Sequence, residues 1–295
     1  QGLILCPTRE LCEQVLGECK KLSKYLPKLK SLSLIGGQAY PPQEKALLEG
    51  VQLIVGTPGR TLEHLKRGKL NLKKLKFLVL DEADRLLEEG FAEELGSILN
   101  LLPKQRQTIF FSATFPPQIE ELSRKHQNRA EKIMIDKEVQ DSPMIEQFIY
   151  EAEKPQKIDM LERILKNHKS KCTLIFCRTK ATVNEIGLIL KGLDCKILHA
   201  DLPQSEREQT IILFRKGLLQ ILVATDVVAR GIDIDGLELV INFDLPSSPD
   251  IYIHRIGRTG RAGRRGTAVS IATAYEAELI LEIEKVIGIK MIRQE

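Results

Sequence analysis

The sequence predicts an α/β protein made of two doubly wound parallel-sheet domains. Two observations carry this reading. Short, wholly apolar runs alternate with longer amphipathic stretches, the pattern of strands buried on both faces and joined by helices. That series occurs twice, on either side of a polar stretch at Asp136–Ser142 followed by Pro143. A length of 295 residues also fits two domains of ordinary size.

In the first series the expected strands are Leu3–Cys6, Leu32–Ile35, Leu53–Gly56, Phe77–Leu80, Thr108–Phe111 and Lys132–Ile135. Each is bounded by Pro, Gly or charged residues. Helical spacing covers Arg9–Leu26, Gly59–Arg67 and Pro117–His126. In the second series the expected strands are Leu174–Cys177, Ile197–Leu198, Ile221–Ala224, Leu239–Asp244 and Thr267–Ala272. Its helical patterns are Lys180–Lys191, Ser205–Lys216 and Glu276–Ile287. The domain division expected is 1–138 and 146–295, with a linker at 139–145.

Composition narrows the function. A 43% hydrophobic share excludes a disordered chain. No apolar run approaches the roughly 18 residues of a membrane span. Lys and Arg total 44 against 40 Asp and Glu, so the net charge of +4 permits a nucleic-acid partner through local basic surface only. Aromatic residues are 5% and Trp is absent, which argues against base stacking as the main binding mode. The six cysteines form no Cys-x-x-Cys pair and no His cluster joins them, so they read as small buried side chains in a reducing compartment. No secretory signal is seen, and a cytoplasmic location is expected.

Open α/β sheets bind ligands at the carboxyl ends of their strands, so the polar residues after each apolar run come first. Phe77-Leu78-Val79-Leu80 runs into Asp81-Glu82-Ala83-Asp84. Three carboxylates this close repel one another unless a cation or hydrogen-bond donors compensate. One compensator is a magnesium ion with a bound triphosphate, Asp81 holding the ion and Glu82 polarising a water. The other reading is a solvated loop that caps the next helix. Ser112-Ala113-Thr114 puts two hydroxyls after a strand, which helix capping also explains. After Ala224-Thr225-Asp226, Gly231 permits close backbone approach and Asp233 can accept from ribose hydroxyls; an ordinary turn fits as well.

The stretch His254–Gly266 holds five arginines and four glycines in thirteen residues. Guanidinium forks match phosphate oxygens, and such an arginine can stabilise a phosphoryl group in transfer. A solvated basic loop or a plain RNA contact are the alternatives. Pro7-Thr8-Arg9-Glu10-Leu11, Gly36-Gly37 and Thr57-Pro58-Gly59-Arg60 follow other strands of the first series. Their hydroxyls, guanidinium groups and helix amino-termini suit the phosphates of a nucleic-acid strand. Gln204 and Arg207 lie three apart at an expected helix start.

Together and in this order, from Pro7 to Gly266, these segments resemble the DEAD-box RNA helicases, whose four-letter motif stands at Asp81–Asp84. Within that family the chain looks most like the bacterial DbpA branch, through Leu5-Cys6-Pro7, Gly36-Gly37-Gln38 and Met144–Phe148. The resemblance implies two RecA-like domains, the cofactors ATP and Mg²⁺, and RNA as partner, single-stranded or a short duplex. Ribosomal RNA is a candidate through the DbpA likeness. It also implies a monomer and no membrane partner. Asp81 would hold Mg²⁺ through water and Glu82 would activate the attacking water. Gly231 and Asp233 would meet the nucleoside, and Arg258 and Arg261 the γ-phosphate. Asp84, Ser112, Thr114 and His254 would couple the nucleotide to the RNA grip. Thr8, Arg9, Gly37, Thr57 and Arg60 would hold RNA from one domain, and Gln204, Arg207 and Thr225 from the other.

Two departures from the family stand out. The phosphate loop Gly-x-x-x-x-Gly-Lys-[Ser/Thr] and the glutamine motif that precede Pro7 in these helicases are not in the sequence, so the first domain is expected to be incomplete at its amino-terminus and to bind ATP poorly by itself. Ala200 follows His199 where the family usually carries Gly. An ATP-independent RNA-binding scaffold and a DNA translocase are the competing functions. Retention of Asp81, Glu82, Arg258 and Arg261 speaks against the scaffold, and the motif spellings favour RNA over DNA.

Overall fold

The structure is a computed structural model, and it describes residues 1–88, 90–134, 145–226, 237–260 and 264–294. The chain divides into two compact units, Gln1–Met134 and Ile135–Glu295. All but the last residue of the expected linker 139–145 lies outside the described residues.

The first unit contains β1 (Gly2–Leu5), α1 (Arg9–Leu22), β2 (Ser31–Leu34), α2 (Tyr40–Leu48), β3 (Leu53–Gly56), α3 (Pro58–Lys66), β4 (Phe77–Leu80), α4 (Ala83–Glu88), α5 (Ala92–Leu101), β5 (Gln107–Phe110) and α6 (Pro117–His126). The strands form one parallel sheet in the order β2-β3-β1-β4-β5. Leu3 and Leu5 pack on one face with Leu62, Leu95 and Ile98. Cys6, Leu11, Cys12 and Leu16 pack on the other. Burial on both faces is why these strands are apolar throughout.

Local chemistry explains several of the differences between the sequence reading and the structure. α1 ends at Leu22 rather than Leu26. Pro27 disfavours helical geometry at the residue before it. α2 begins at Tyr40 with prolines at its first positions, which fit a helix start. The strand expected at Lys132–Ile135 does not form over residues 132–134, and Ile135 is outside the described residues. Ile133 and Met134 are 82% and 69% exposed, so an apolar run without a covering layer makes no strand here.

The second unit contains β6 (Ile145–Glu151), α7 (Lys157–His168), β7 (Thr173–Cys177), α8 (Lys180–Ile189), β8 (Cys195–Leu198), α9 (Gln204–Arg215), β9 (Ile221–Thr225), β10 (Leu239–Asn242), α10 (Pro249–Ile256), β11 (Gly266–Ala272), α11 (Ala277–Ile287) and β12 (Ile292–Gln294). Its seven strands are parallel in the order β12-β6-β11-β10-β7-β9-β8. Along β7, Ile175 and Cys177 enter one core with Val183 and Ile186, while Leu174 and Phe176 enter the opposite core with Ile211 and Phe214. No described helix is long and apolar enough to cross a membrane. All six cysteines are free thiols.

Candidate functional site

In the first unit the five strands end level. Leu34 lies beside Gly56, Gly56 beside Leu5, Leu5 beside Leu80, and Leu80 beside Phe110. The chain leaves β1 towards β2 and leaves β4 towards β5, on opposite sides of the sheet. That reversal puts the ligand crevice at the ends of β1 and β4. Thr8 and Arg9 follow β1, and Asp81 and Glu82 follow β4, so these four expected residues lie at that point, while Gly37 follows β2, Thr57 and Arg60 follow β3, and Ser112 and Thr114 follow β5.

Asp81 N–H donates to Leu5 O at 2.9 Å, which ties the motif to β1. Glu82 sits in the left-handed region at φ +47° and its N–H donates to Asp81 Oδ1 at 3.1 Å. A glutamate held there stores backbone strain, a feature that concentrates at functional sites. Burial pushes the Asp81 carboxyl above its ordinary value, against the opposing hydrogen bond from Glu82.

Asp84, Ser112 and Thr114 meet as a bonded set. Asp84 N–H donates to Ser112 Oγ at 3.1 Å. Thr114 donates to Asp84 Oδ2 twice, from its N–H at 3.0 Å and from Oγ1 at 2.7 Å. Burial works to raise the Asp84 pKa, yet the bonds from Thr114, Ser112 and Arg85 outweigh it and hold the carboxyl below its ordinary value.

The other expected residues of this unit differ in what they present. Thr8 Oγ1 accepts from Leu11 N–H at 3.2 Å, so it caps α1. Thr57 occupies the same place before α3 but makes no capping bond through its side chain. The Arg9 guanidinium lies against Gly36, where an added Cβ would stand 3.1 Å from Nη2. Gly37 has φ +79°, a conformation that favours glycine. Arg60 Nη1 donates to Gln38 O and to Gln43 Oε1, each at 3.0 Å, and its guanidinium lies 4.1 Å from the Tyr40 ring.

In the second unit Thr225 closes β9, and Gln204 and Arg207 lie buried in the first turn of α9. Gln204 Nε2 donates to Glu208 Oε1 at 3.1 Å. His254 is on α10 and accepts through its carbonyl from Arg258 Nε at 3.2 Å. The turn after Arg258 is anchored by the buried Thr259, whose hydroxyl donates to Leu237 O and also lies 3.3 Å from Glu238 O. Gly266 backs this turn; an added Cβ there would come within 2.6 Å of Gly260 N. Gly231, Asp233 and Arg261 lie outside the described residues. Two residues that the sequence reading did not assign stand out: Gln43, at the hub of the Arg60 contacts, and Arg255, which is 2% exposed and hydrogen-bonded through all three guanidinium nitrogens. Nothing in the pattern separates Arg255 from its four neighbouring arginines. Among the described residues no three His, Cys, Asp or Glu side chains group to hold a metal.

Residues 1–122 match the DEAD/DEAH box helicase family, and residues 156–263 match the helicase conserved C-terminal domain. The structure of S. cerevisiae Dbp5 bound to RNA and ADP BeF3 is 33% identical and covers 100% of this chain and 77% of its own, with a TM-score of 0.89. The chain belongs to the DEAD-box helicase family. This DEAD-box chain is 43% identical over 293 residues to the ATP-dependent RNA helicase DbpA of Escherichia coli K12, covering 99% of itself and 64% of that protein. It is 40% identical over 295 residues to the DEAD-box ATP-dependent RNA helicase CshA of Geobacillus kaustophilus, covering 63% of it. It thus spans less than two thirds of the length of these relatives. The structure of Mss116p bound to ssRNA and AMP-PNP is 30% identical, with a TM-score of 0.88.

Proposed function

We propose that this chain carries the RNA-gripping and phosphate-cleaving residues of an RNA-dependent ATPase that separates short RNA duplexes. The observation that supports it is the set joining Asp84 to Ser112 and Thr114, adjacent to the strained Glu82 and the partly buried Asp81. It gives a direct bonded path from the acidic motif to the loop after β5.

The acidic motif fits magnesium. Burial disfavours the Asp81 charge, and a hard divalent cation reverses that preference. With no three-ligand cluster among the described residues, the ion would take its other oxygens from phosphate and water, the usual habit of magnesium. When bound, it neutralises charge on the phosphates. Glu82 orients the attacking water and takes its proton. Arg258 and Arg261 stabilise the charge on the phosphoryl group, and Gly231 and Asp233 hold the ribose side of ATP. His254 joins Asp84, Ser112 and Thr114 in coupling.

Thr8, Arg9, Gly37, Thr57 and Arg60 hold RNA phosphates from the first unit; Gln204, Arg207 and Thr225 hold them from the second. ATP and RNA each draw on residues of both units, so each favours the state that the other needs, and the coupling is reciprocal. A grip on the backbone of one strand competes with regular pairing and opens a duplex locally. It implies little sequence preference and strong salt dependence. The 295 residues contain no Gly-x-x-x-x-Gly-Lys loop, so we expect weak ATP binding by this chain alone.

RNA-stimulated ATP hydrolysis, measured for the 295-residue chain and for the product of the complete gene, tests the reading. Turnover by the gene product that falls at least about 100-fold in Glu82→Gln supports it. RNA binding with no turnover by either protein assigns the ATP-independent scaffold instead and withdraws the roles of Glu82 and the arginines.

A further inference from the structure

α2 buries one side chain, and that side chain is polar: Gln43 is 3% exposed. A buried carboxamide is costly unless its hydrogen bonds are made, and it can make four. Gln43 makes all four. Nε2 donates to Ile35 O and to Gln38 Oε1, each at 3.2 Å. Oε1 meets Arg60 Nη1 at 3.0 Å and His64 Nε2 at 2.8 Å. A main-chain carbonyl only accepts, so Ile35 fixes which way the amide faces. Oε1 then only accepts, and His64 must carry a proton on Nε2.

These four partners lie on two different elements. Ile35 and Gln38 flank the Gly36-Gly37 turn after β2, while Arg60 and His64 are on α3. Gln43 therefore ties the turn to the helix. Arg60 is held further by Gln38 O at 3.0 Å, by Glu63 Oε2 at 3.0 Å from Nε, and by the Tyr40 ring. These contacts hold Nη1 by hydrogen bonds, the guanidinium charge by an ion pair that lies off hydrogen-bond geometry at Nε, and one face by the ring, and none of them uses Nη2. A guanidinium fixed in this way has already lost the freedom that binding would otherwise cost.

We propose that Gln43 is a positioning residue for nucleic-acid phosphates: it locks the Gly37 turn to α3, so that Gly37, Thr57 and the Nη2 edge of Arg60 form one preset surface. This rests on the reading that the first unit grips RNA.

The test is the affinity of the full chain for a labelled oligouridine strand over a range of salt concentrations. Gln43→Met is expected to weaken binding about tenfold, and to lower the slope of log affinity against log salt by about 0.7, the share of a single phosphate on a single strand. Arg60→Ala should do the same, and the double variant should be no weaker than either single one. Loss of folded protein alone would lower apparent affinity without changing that slope. Gln43→Glu keeps an oxygen for Arg60 and His64 and should recover part of the slope. If Gln43→Met does not fold, Gln38→Ala removes one partner of the amide; about threefold weakening that does not add to that of Arg60→Ala is then expected. Unchanged affinity and slope in the Gln43 and Gln38 variants, or losses that add to that of Arg60→Ala, would overturn the positioning role while leaving RNA binding intact. Failure of the unsubstituted chain to bind the strand at any salt would instead overturn the RNA reading itself, and this inference with it.

Discussion

Arg255 holds Asp226 by two parallel hydrogen bonds, Nε to Oδ1 and Nη2 to Oδ2, each 2.7 Å long. Its Nη1 donates to Asn242 Oδ1 at 3.0 Å and to Asp244 O at 2.6 Å, and the Phe176 ring lies 5.0 Å from the guanidinium. One side chain thus fastens α10 to the ends of β7, β9 and β10. Removing one partner of such a buried pair leaves the other charge uncompensated. Arg255→Ala is expected to cost about 3–5 kcal/mol in urea unfolding of the chain. Arg255→Lys should recover little, because an ammonium cannot make the two-pronged contact. A loss below about 1 kcal/mol would place this pair with ordinary exposed ion pairs.

Asp84 should titrate below its ordinary value of 3.8, through its bonds to Thr114, Ser112 and Arg85. A depressed carboxyl pKa contributes stability that is fully present above 3.8 and is lost as pH falls through the folded-state value. Thr114→Val removes the hydroxyl donor. The Asp84 pKa should then rise, with a loss of about 1 kcal/mol at neutral pH. Carbon-13 titration of the Asp84 carboxyl checks this; an unmoved titration curve in the variant would refute the assignment.

Glu82 combines strain with its proposed chemistry. Glycine tolerates the φ of +47° without steric cost. Glu82→Gly should raise stability by about 1 kcal/mol while abolishing RNA-stimulated turnover. Glu82→Gln keeps the side-chain shape and should accumulate an RNA-bound, slowly hydrolysing state. Thermal melts of the chain, and turnover assays of the complete gene product, each carrying one or the other substitution, separate strain from catalysis. A Glu82→Gly protein that melts below the original would show that its backbone carries no releasable strain.

Burial pushes the thiols of Cys172 and Cys195 up to about 11, and that of Cys177 higher still. At pH 8 these three should be almost wholly protonated and slow towards iodoacetamide. Mass spectrometry after labelling should find them protected in the folded chain, and all six cysteines modified after denaturation. Rapid native labelling of Cys177 would contradict its burial.

The legible parts of the fold were those where composition and surroundings agree. β3 and β4 stand where their apolar runs end in Gly56 and in the acidic motif, and α6 spans Pro117–His126 as its spacing implies. α2 was not legible, because its buried face is a single glutamine rather than an apolar stripe. Ile133 and Met134 read as strand, but a strand needs a neighbour, which the local sequence does not encode. The same limit applies to the site. Asp84, Ser112 and Thr114 could be grouped through family resemblance, since 28 and 30 residues separate the partners. Arg255 was hidden among arginines of like spacing, and only the packed strand ends distinguish it.

Every neighbouring pair of strands in both sheets is parallel, so no pair can be closed by a tight hairpin. Each pairing must wait for a long crossover, which slows folding. On a ribosome this sets an order of events. Asp84 emerges well before Ser112 and Thr114, and β1 waits for both β3 and β4 before its edges are satisfied. A nascent chain halted before Ser112 would carry the whole acidic motif with neither Ser112 nor Thr114 to bond Asp84. The set joining Asp84 to Ser112 and Thr114 is therefore among the last features of the first unit to assemble.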